Sequence, residues 1–182
     1  MKKLVFAILM CVAAMSAKAQ VLTSETVNNV YEEVSNKSNS EFAFNAVKTG
    51  KDITAMFVYK KELGSKGMLT LKPHRKHEYA YAADGMLTSR TDYRWSDSQK
   101  DWICAARYDY SLANGEYCTE YSRYNQATNS FEKPVEKMVY SLMPYDGVDF
   151  ISYYLRNNPA SNYQLVSETL VKNVQYELIA EK

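Results

Sequence analysis

Three tight-turn dipeptides recur along this chain: Asp84-Gly85, Asn114-Gly115 and Asp146-Gly147. They constrain the fold more than any other feature. Asn-Gly and Asp-Gly favour two-residue hairpin turns, because both central residues of a type I′ turn need positive φ. Each dipeptide is followed by a run rich in β-branched or aromatic residues and then by a polar stretch. The three polar stretches, "SDSQKD" from Ser96, "NQATNS" from Asn125 and "NNPASN" from Asn157, are each six residues long. Their flanks correspond as well. Trp95 and Trp102 bracket the first, Tyr124 and Phe131 the second, Arg156 and Tyr163 the third. Trp102 lies 29 residues before Phe131, and Phe131 lies 32 before Tyr163.

The repeating unit is therefore strand, tight turn, strand, polar loop, and three copies start from about residue 78. Units of this length build arrays or long meanders. Residues that close a hairpin loop face one another across the strand pair, and an aromatic pair there adds ~0.2–1 kcal/mol over alanines. Arg156 breaks the aromatic pattern but can lie over the Tyr163 ring as a cation–π contact. The predicted fold is mainly β: an antiparallel β-meander of tandem hairpins with a short N-terminal helix. In "TDYRW", Tyr93 and Trp95 share one face while Asp92 and Arg94 take the other. In "RYDYSL", Tyr108, Tyr110 and Leu112 oppose Arg107, Asp109 and Ser111. This alternation predicts an aromatic face and a solvated, charged face.

The N-terminal third reads differently. "SETVNNVYEEV" places Val27, Val30, Tyr31 and Val34 on one helical stripe, with Ser24 as its cap. "FAFNAV", "ITAMFVYK" and "MLTLK" read as strands. The helix is expected to cover the apolar face of the sheet or to pack at one end of it. Upstream, Lys2 and Lys3, an apolar run from Leu4 to Met15, and Ala17-Lys18-Ala19 form a secretory signal peptide with cleavage before Gln20. The run is shorter than the ~20 residues a membrane-spanning helix needs. Met10 is too large to precede a lipidated cysteine at Cys11. The expected organisation is a leader at 1–19, helix and linker at 20–50, and the meander at 51–182, exported to the periplasm, cell surface or medium.

Losing Lys2, Lys3 and Lys18 from the 22 basic residues leaves the 21 acidic residues in excess by two. A chain so near neutrality has no electrostatic footprint for nucleic acid. Cys104 and Cys118 remain after cleavage. An Asn114-Gly115 hairpin sets Cys118 opposite Ser111, roughly 24 Å from Cys104 at ~3.4 Å per residue. A disulfide needs Cα atoms within about 7 Å, so both thiols are expected to be free.

Tyr79, Tyr81, Asp84, Gly85, Tyr93, Trp95, Trp102, Tyr108 and Tyr110 form a series of Tyr-x-Tyr, Asp-Gly, Tyr-x-Trp, polar loop and Trp. With the Ala-x-Ala-Gln leader end, this resembles secreted proteins of gut Bacteroides, in particular the family catalogued as domain of unknown function 3836. The second repeat keeps Gly115, Tyr124 and Phe131, and the third keeps Gly147 and Tyr163. A weaker likeness to the tyrosine-aspartate repeats of toxin shells lacks their Tyr-Asp-x-x-Gly core. The family resemblance implies an exported or envelope location. It carries over no functional residues.

Motifs for chemistry are sparse. His74 and His77 are the only histidines. Pro73 argues against a helix there, an odd separation in a strand sends the rings to opposite faces, and Lys72, Arg75 and Lys76 disfavour a cation. A solvated basic loop is expected, with no metal. There is no P-loop, no G-x-G-x-x-G and no G-x-S-x-G elbow, so no cofactor is called for. Asp92, Asp109 and Glu120 read as solvated face residues, although paired acids on adjacent strands could serve a glycosidase. Tyr93, Trp95, Trp102, Tyr124, Phe131 and Tyr163 are candidates for an aromatic binding face that stacks on a sugar or buries into a partner. The expected function is that of an exported, non-catalytic binding or interaction module of a Bacteroides-like envelope, with a glycan or another envelope protein as partner. The alternative is a small secreted carboxylate-dependent hydrolase.

Overall fold

The computed structural model describes residues 21–37, 40–64, 67–143 and 148–172. One helix, α1 (Ser24–Ser35), precedes ten strands: β1 (Phe42–Thr49), β2 (Asp52–Leu63), β3 (Leu69–Tyr81), β4 (Leu87–Ser96), β5 (Asp101–Ala113), β6 (Glu116–Asn125), β7 (Ser130–Phe131), β8 (Glu136–Met143), β9 (Val148–Leu155) and β10 (Gln164–Lys172). The strands hydrogen-bond in chain order, β1-β2-β3-β4-β5-β6-β8-β9-β10, with the short β7 beside β6. This is the antiparallel meander with a short N-terminal helix that the turn spacing predicts. The sheet starts at Phe42, inside the segment expected to hold helix and linker. Residues 1–19 and the Asp146-Gly147 turn lie outside the described residues.

Two compact units form. One holds Leu22–Asp109 and Tyr121–Lys133, and the other holds Tyr110–Glu120 and the described residues from Pro134 onward. In the first unit the core is Val27, Ile53, Met56, Val58, Leu87, Ala106 and Tyr108. Helix α1 packs on β1 and β2. Its Asn28 side chain donates to Lys51 O and accepts from Ile53 N. The residues before it are tied to the β3–β4 turn by Ser24 N to Gly85 O and Leu87 N to Leu22 O. The cap is Thr23 and not Ser24: Thr23 and Thr26 form a reciprocal capping box. Ser24 is the first helical residue and is buried.

The Asn114-Gly115 turn has φ of 54° and 77°, as a type I′ hairpin requires. The Asp84-Gly85 turn differs. Only Gly85 has positive φ, at 85°, and Gly85 N donates to Ala82 O. It is a type I turn closed by a left-handed glycine, one residue longer than the two-residue form. In the second unit Tyr117 stacks on Tyr110, with centroids 6.0 Å apart, and meets Tyr140 at a tilt, with centroids 6.1 Å apart. Val139 and Ser152 are also buried there, and Ser152 donates to Glu168 at 2.9 Å.

The expected split into one aromatic and one charged face does not hold. Asp92 is largely buried, on the face that carries Ala106 and Tyr108. Leu112, expected beside Tyr108 and Tyr110, is exposed. Strict alternation fails because the register slips by one residue at Thr54 on β2, Thr88 on β4 and Ala105 on β5. A fourth slip falls at His74 on β3.

Candidate functional site

The polar loops are built alike. Trp95 pairs with Trp102 and Ser96 with Asp101, so the six-residue stretch contributes its outer pair to the ladder and leaves a four-residue loop. Tyr124–Phe131 and Asn125–Ser130 repeat the arrangement. The last loop residue is left-handed in both, Lys100 at φ 54° and Asn129 at φ 50°. The first paired residue caps the turn: Ser96 Oγ accepts from Gln99 N, and Asn125 Oδ1 accepts from Ala127 N. In the third loop Asn158 Oδ1 accepts from Ala160 N and Ser161 N.

Under each loop sits the aromatic closure. Trp95 and Trp102 meet edge to face with centroids 5.3 Å apart at 70°, and Tyr124 and Phe131 do so at 5.1 Å and 73°. Trp102 also meets Phe57 at 5.8 Å. In the second unit the Arg156 guanidinium lies 4.5 Å from the Tyr163 centroid, the cation–π contact expected from the sequence. Arg156 also donates to Pro134 O, and Tyr163 to Glu120 Oε1 at 3.0 Å.

The six candidate aromatics are all half-buried, and their surroundings differ. Tyr93 lies under Lys76, 4.1 Å from its centroid, and donates to Glu78 Oε2 at 2.7 Å. Burial and the Glu78 charge push its hydroxyl far above the ordinary value. Phe131 faces Arg107 at 5.8 Å. Tyr163 carries Arg156 and Lys137, and burial with the neighbouring Glu120 raises its hydroxyl to about 12. Trp95 opens on a shallow pocket that it lines with Arg94, Ser96, Gln99, Ile103 and Gln126. Gln99 and Gln126 come from two different polar loops, so the pocket brings successive repeats together. A tryptophan beside amides, a guanidinium and a hydroxyl brings apolar ring surface and hydrogen-bonding groups to one place.

The sequence reading missed a buried ionic cluster. His77 Nδ1 lies 2.7 Å from Asp92 Oδ1, and Arg90 Nε lies 2.9 Å from the same oxygen. The Arg90 guanidinium sits 4.3 Å from the Tyr108 centroid. Burial alone would raise the Asp92 pKa, but Arg90 and the His77 hydrogen bond outweigh it and hold the carboxyl below its ordinary value. Asp92 is thus no solvated surface acid. The two histidines form no basic loop either. Both lie in β3, and His74 stacks on Phe42 at 5.4 Å. The bulge at His74 removes the strict alternation expected between the two rings. The only sequence signal for the cluster was the spacing His77, Arg90 and Asp92 about one hairpin, which needs the strand register before it means anything.

His77 and Asp92 resemble the orienting half of a catalytic triad, but the carboxyl is occupied by Arg90 as well. Glu78 is also held low. Burial would raise it, and hydrogen bonds from Lys76 and Tyr93 prevail. A hydrolytic acid needs a raised pKa, and both of these carboxyls shift the opposite way. Among the described residues no three His, Cys, Asp or Glu side chains gather as a metal site. No described helix is long and apolar enough to cross a membrane. Cys104 and Cys118 are free, and burial first of all raises both thiols.

These features define an antiparallel meander protein whose polar loops are closed by facing aromatic pairs. The chain belongs to DUF3836, a family of unknown function, whose model matches residues 1–142. A protein of unknown function from Bacteroides fragilis is similar in structure, with a TM-score of 0.60 and 21% identity, covering 72% of this chain and 93% of that one. A DUF3836 protein from Bacteroides vulgatus aligns over 50% of this chain and 89% of its own at 22% identity and a TM-score of 0.46. One from Parabacteroides distasonis aligns over 76% and 95% at 17% identity and 0.45. No curated protein matches the chain. At these identities the likeness concerns the fold.

Proposed function

We propose that this chain is an exported, non-catalytic binding module of the cell envelope, and that it takes a glycan at the Trp95 pocket. The observation that carries the reading is the gathering of the half-buried Trp95 with Arg94, Ser96, Gln99 and Gln126, the two glutamines coming from neighbouring loops, around one shallow pocket. Sugars offer an apolar ring face and a rim of hydroxyls, and this lining matches both. Tyr93 and Tyr163 each carry a cation over the ring, which favours Trp95 as the stacking platform. The Lys2-Lys3 start, apolar run and Ala17-Lys18-Ala19 support export. Mass spectrometry of the protein recovered from the envelope or medium should show an N-terminus at Gln20, and an intact Met1 would overturn the export step.

A glycan array followed by calorimetry tests the binding step. Gln99→Ala and Gln126→Ala leave the aromatic closure intact, so each should melt with the parent and weaken a bound glycan by about tenfold, the loss of one or two hydrogen bonds at ~1 kcal/mol each. Binding that both substitutions leave unchanged, or an array without a hit, would overturn the assignment.

A further inference from the structure

The β2–β3 hairpin runs past its neighbours. Pairing of β1 with β2 ends at Phe42 and Lys60, and pairing of β4 with β3 ends at Arg94 and Arg75. Beyond those points Lys61–Leu63 and Leu69–Leu71 pair with each other. Pro73, which has no N–H, sits where the sheet narrows to this ribbon. Two-stranded ribbons are marginally stable in water, yet this one exposes large apolar side chains. Leu63 is 78% exposed, Met68 68%, Leu69 59% and Leu71 52%.

The register sorts the ribbon into two faces. Leu63 pairs with Leu69 and Lys61 with Leu71, so three leucines share one side. Lys60 pairs with Lys72 and Glu62 with Thr70 on the other. The charge is one-sided: Lys60, Lys61, Lys72 and Arg75 stand against Glu62, which bridges Lys72 at 2.7 Å. Protein docking patches tend to lack lysine, whereas a ribbon with leucines on one side and lysines on the other has the amphipathic division that suits an anionic lipid surface. The leucines would enter the acyl boundary while the long lysine stems reach back to headgroup phosphates. The outer edges of the ribbon keep backbone groups that hydrocarbon cannot satisfy, so it can lie at the headgroup level but cannot cross.

We propose that the β2–β3 ribbon docks the protein on an anionic bilayer, with Leu63, Met68, Leu69 and Leu71 inserted and Lys60 and Lys72, from the opposite side of the ribbon, reaching the headgroups. The site is separate from the Trp95 pocket, and the two readings stand or fall independently.

Co-sedimentation of the full chain with phosphatidylcholine vesicles, with and without three parts in ten phosphatidylglycerol, tests the proposal. Every variant keeps the same N-terminus, so the comparison isolates the ribbon. Binding should need phosphatidylglycerol and weaken with salt. Leu69→Asp with Leu71→Asp should reduce it at least tenfold. Lys60→Gln and Lys72→Gln should each reduce it about fivefold, the equivalent of ~1 kcal/mol per charge near an anionic surface. Both leucines are exposed, so circular dichroism should show these variants folded. Gln99→Ala should bind vesicles as the parent does. Equal sedimentation with both vesicle types, or undiminished binding by the double aspartate variant, would overturn it. So would lipid-free dimerisation that the aspartates abolish, since the occupant would then be a second copy.

Discussion

Replacing Trp95 and Trp102 by alanine, singly and together, tests whether the aromatic closure holds the register of β4 and β5. A fully buried tryptophan costs about 3–5 kcal/mol when truncated. Both indoles here are half-buried, so Trp95→Ala should cost roughly 2 kcal/mol. Trp102 also meets Phe57, so its loss removes a second ring contact and should cost about 3 kcal/mol. At 5.3 Å and 70° the two rings are in the favoured edge-to-face geometry, worth ~0.5–1.5 kcal/mol beyond area. The double mutant should therefore fall short of the summed losses by about 1 kcal/mol.

Urea denaturation followed by far-ultraviolet circular dichroism is the assay, because the substitutions remove the only two tryptophans and with them the fluorescence signal. For a chain of this size each kcal/mol moves the melting temperature by about 2–4 °C, so Trp95→Ala should melt roughly 4–8 °C below the parent. Losses that add to within ~0.3 kcal/mol would show that the rings do not interact, and the pairing of Trp95 with Trp102 would be wrong. Unchanged stability in all three variants would leave the indoles a binding role only.

Asp92→Asn should cost about 3 kcal/mol at pH 7, because it leaves Arg90 buried against a neutral amide. Since folding lowers the Asp92 pKa, its contribution is full above the unfolded value near 4 and fades as pH falls through the folded value; urea midpoints of parent and variant should converge as the pH is lowered past that point. Thr23→Ala should cost about 1 kcal/mol by removing the cap, and Thr23→Ser should restore most of it, as read from thermal melts. Thiol labelling under denaturing, non-reducing conditions should find Cys104 and Cys118 both as free thiols, and native alkylation of them at pH 8 should be slower than for a cysteine peptide, because burial raises both thiols.

The hairpin order, the loop-closing pairs and the free cysteines were legible because each rests on local chemistry. Asn114-Gly115 dictates a turn, the turn dictates which residues face each other, and the facing residues at the next loop are aromatic. The Arg156–Tyr163 contact followed the same rule with a cation in place of a ring. The cap was misplaced by one residue because Thr23, Ser24 and Thr26 all carry a hydroxyl oxygen able to accept from a helix-start N–H, and the tether from Ser24 N to Gly85 O decides between them. Nothing within residues 20–36 encodes that tether. The Trp95 pocket was half legible. Its indole stood out, but Gln99 and Gln126 are unremarkable until two loops 27 residues apart are placed side by side.

The larger miss has one physical cause. Reading period-two alternation through β5 puts Trp102, Cys104, Ala106 and Tyr108 on one face. The extra residue at Ala105 reverses the parity between Cys104 and Ala106. Trp102 and Cys104 then share a side with Trp95 and Tyr93, while Ala106 and Tyr108 turn to the buried side with Asp92 and Arg90. The bulge at Thr54 likewise lets Ile53 join Met56 and Val58 in the core, and the one at Thr88 lets Leu87 face the same way as Arg90. These three bulges carry Ile53, Leu87, Ala106 and Tyr108 to the buried side and leave the opposite face to the tryptophan closure. The ionic cluster follows from the same reversal. Arg90 and Asp92 are carried inward with Tyr108 opposite, so the charges must satisfy one another, and His77 from β3 completes the set. A polar pair that looked like a solvated face is thereby the internal counterpart of the aromatic face outside.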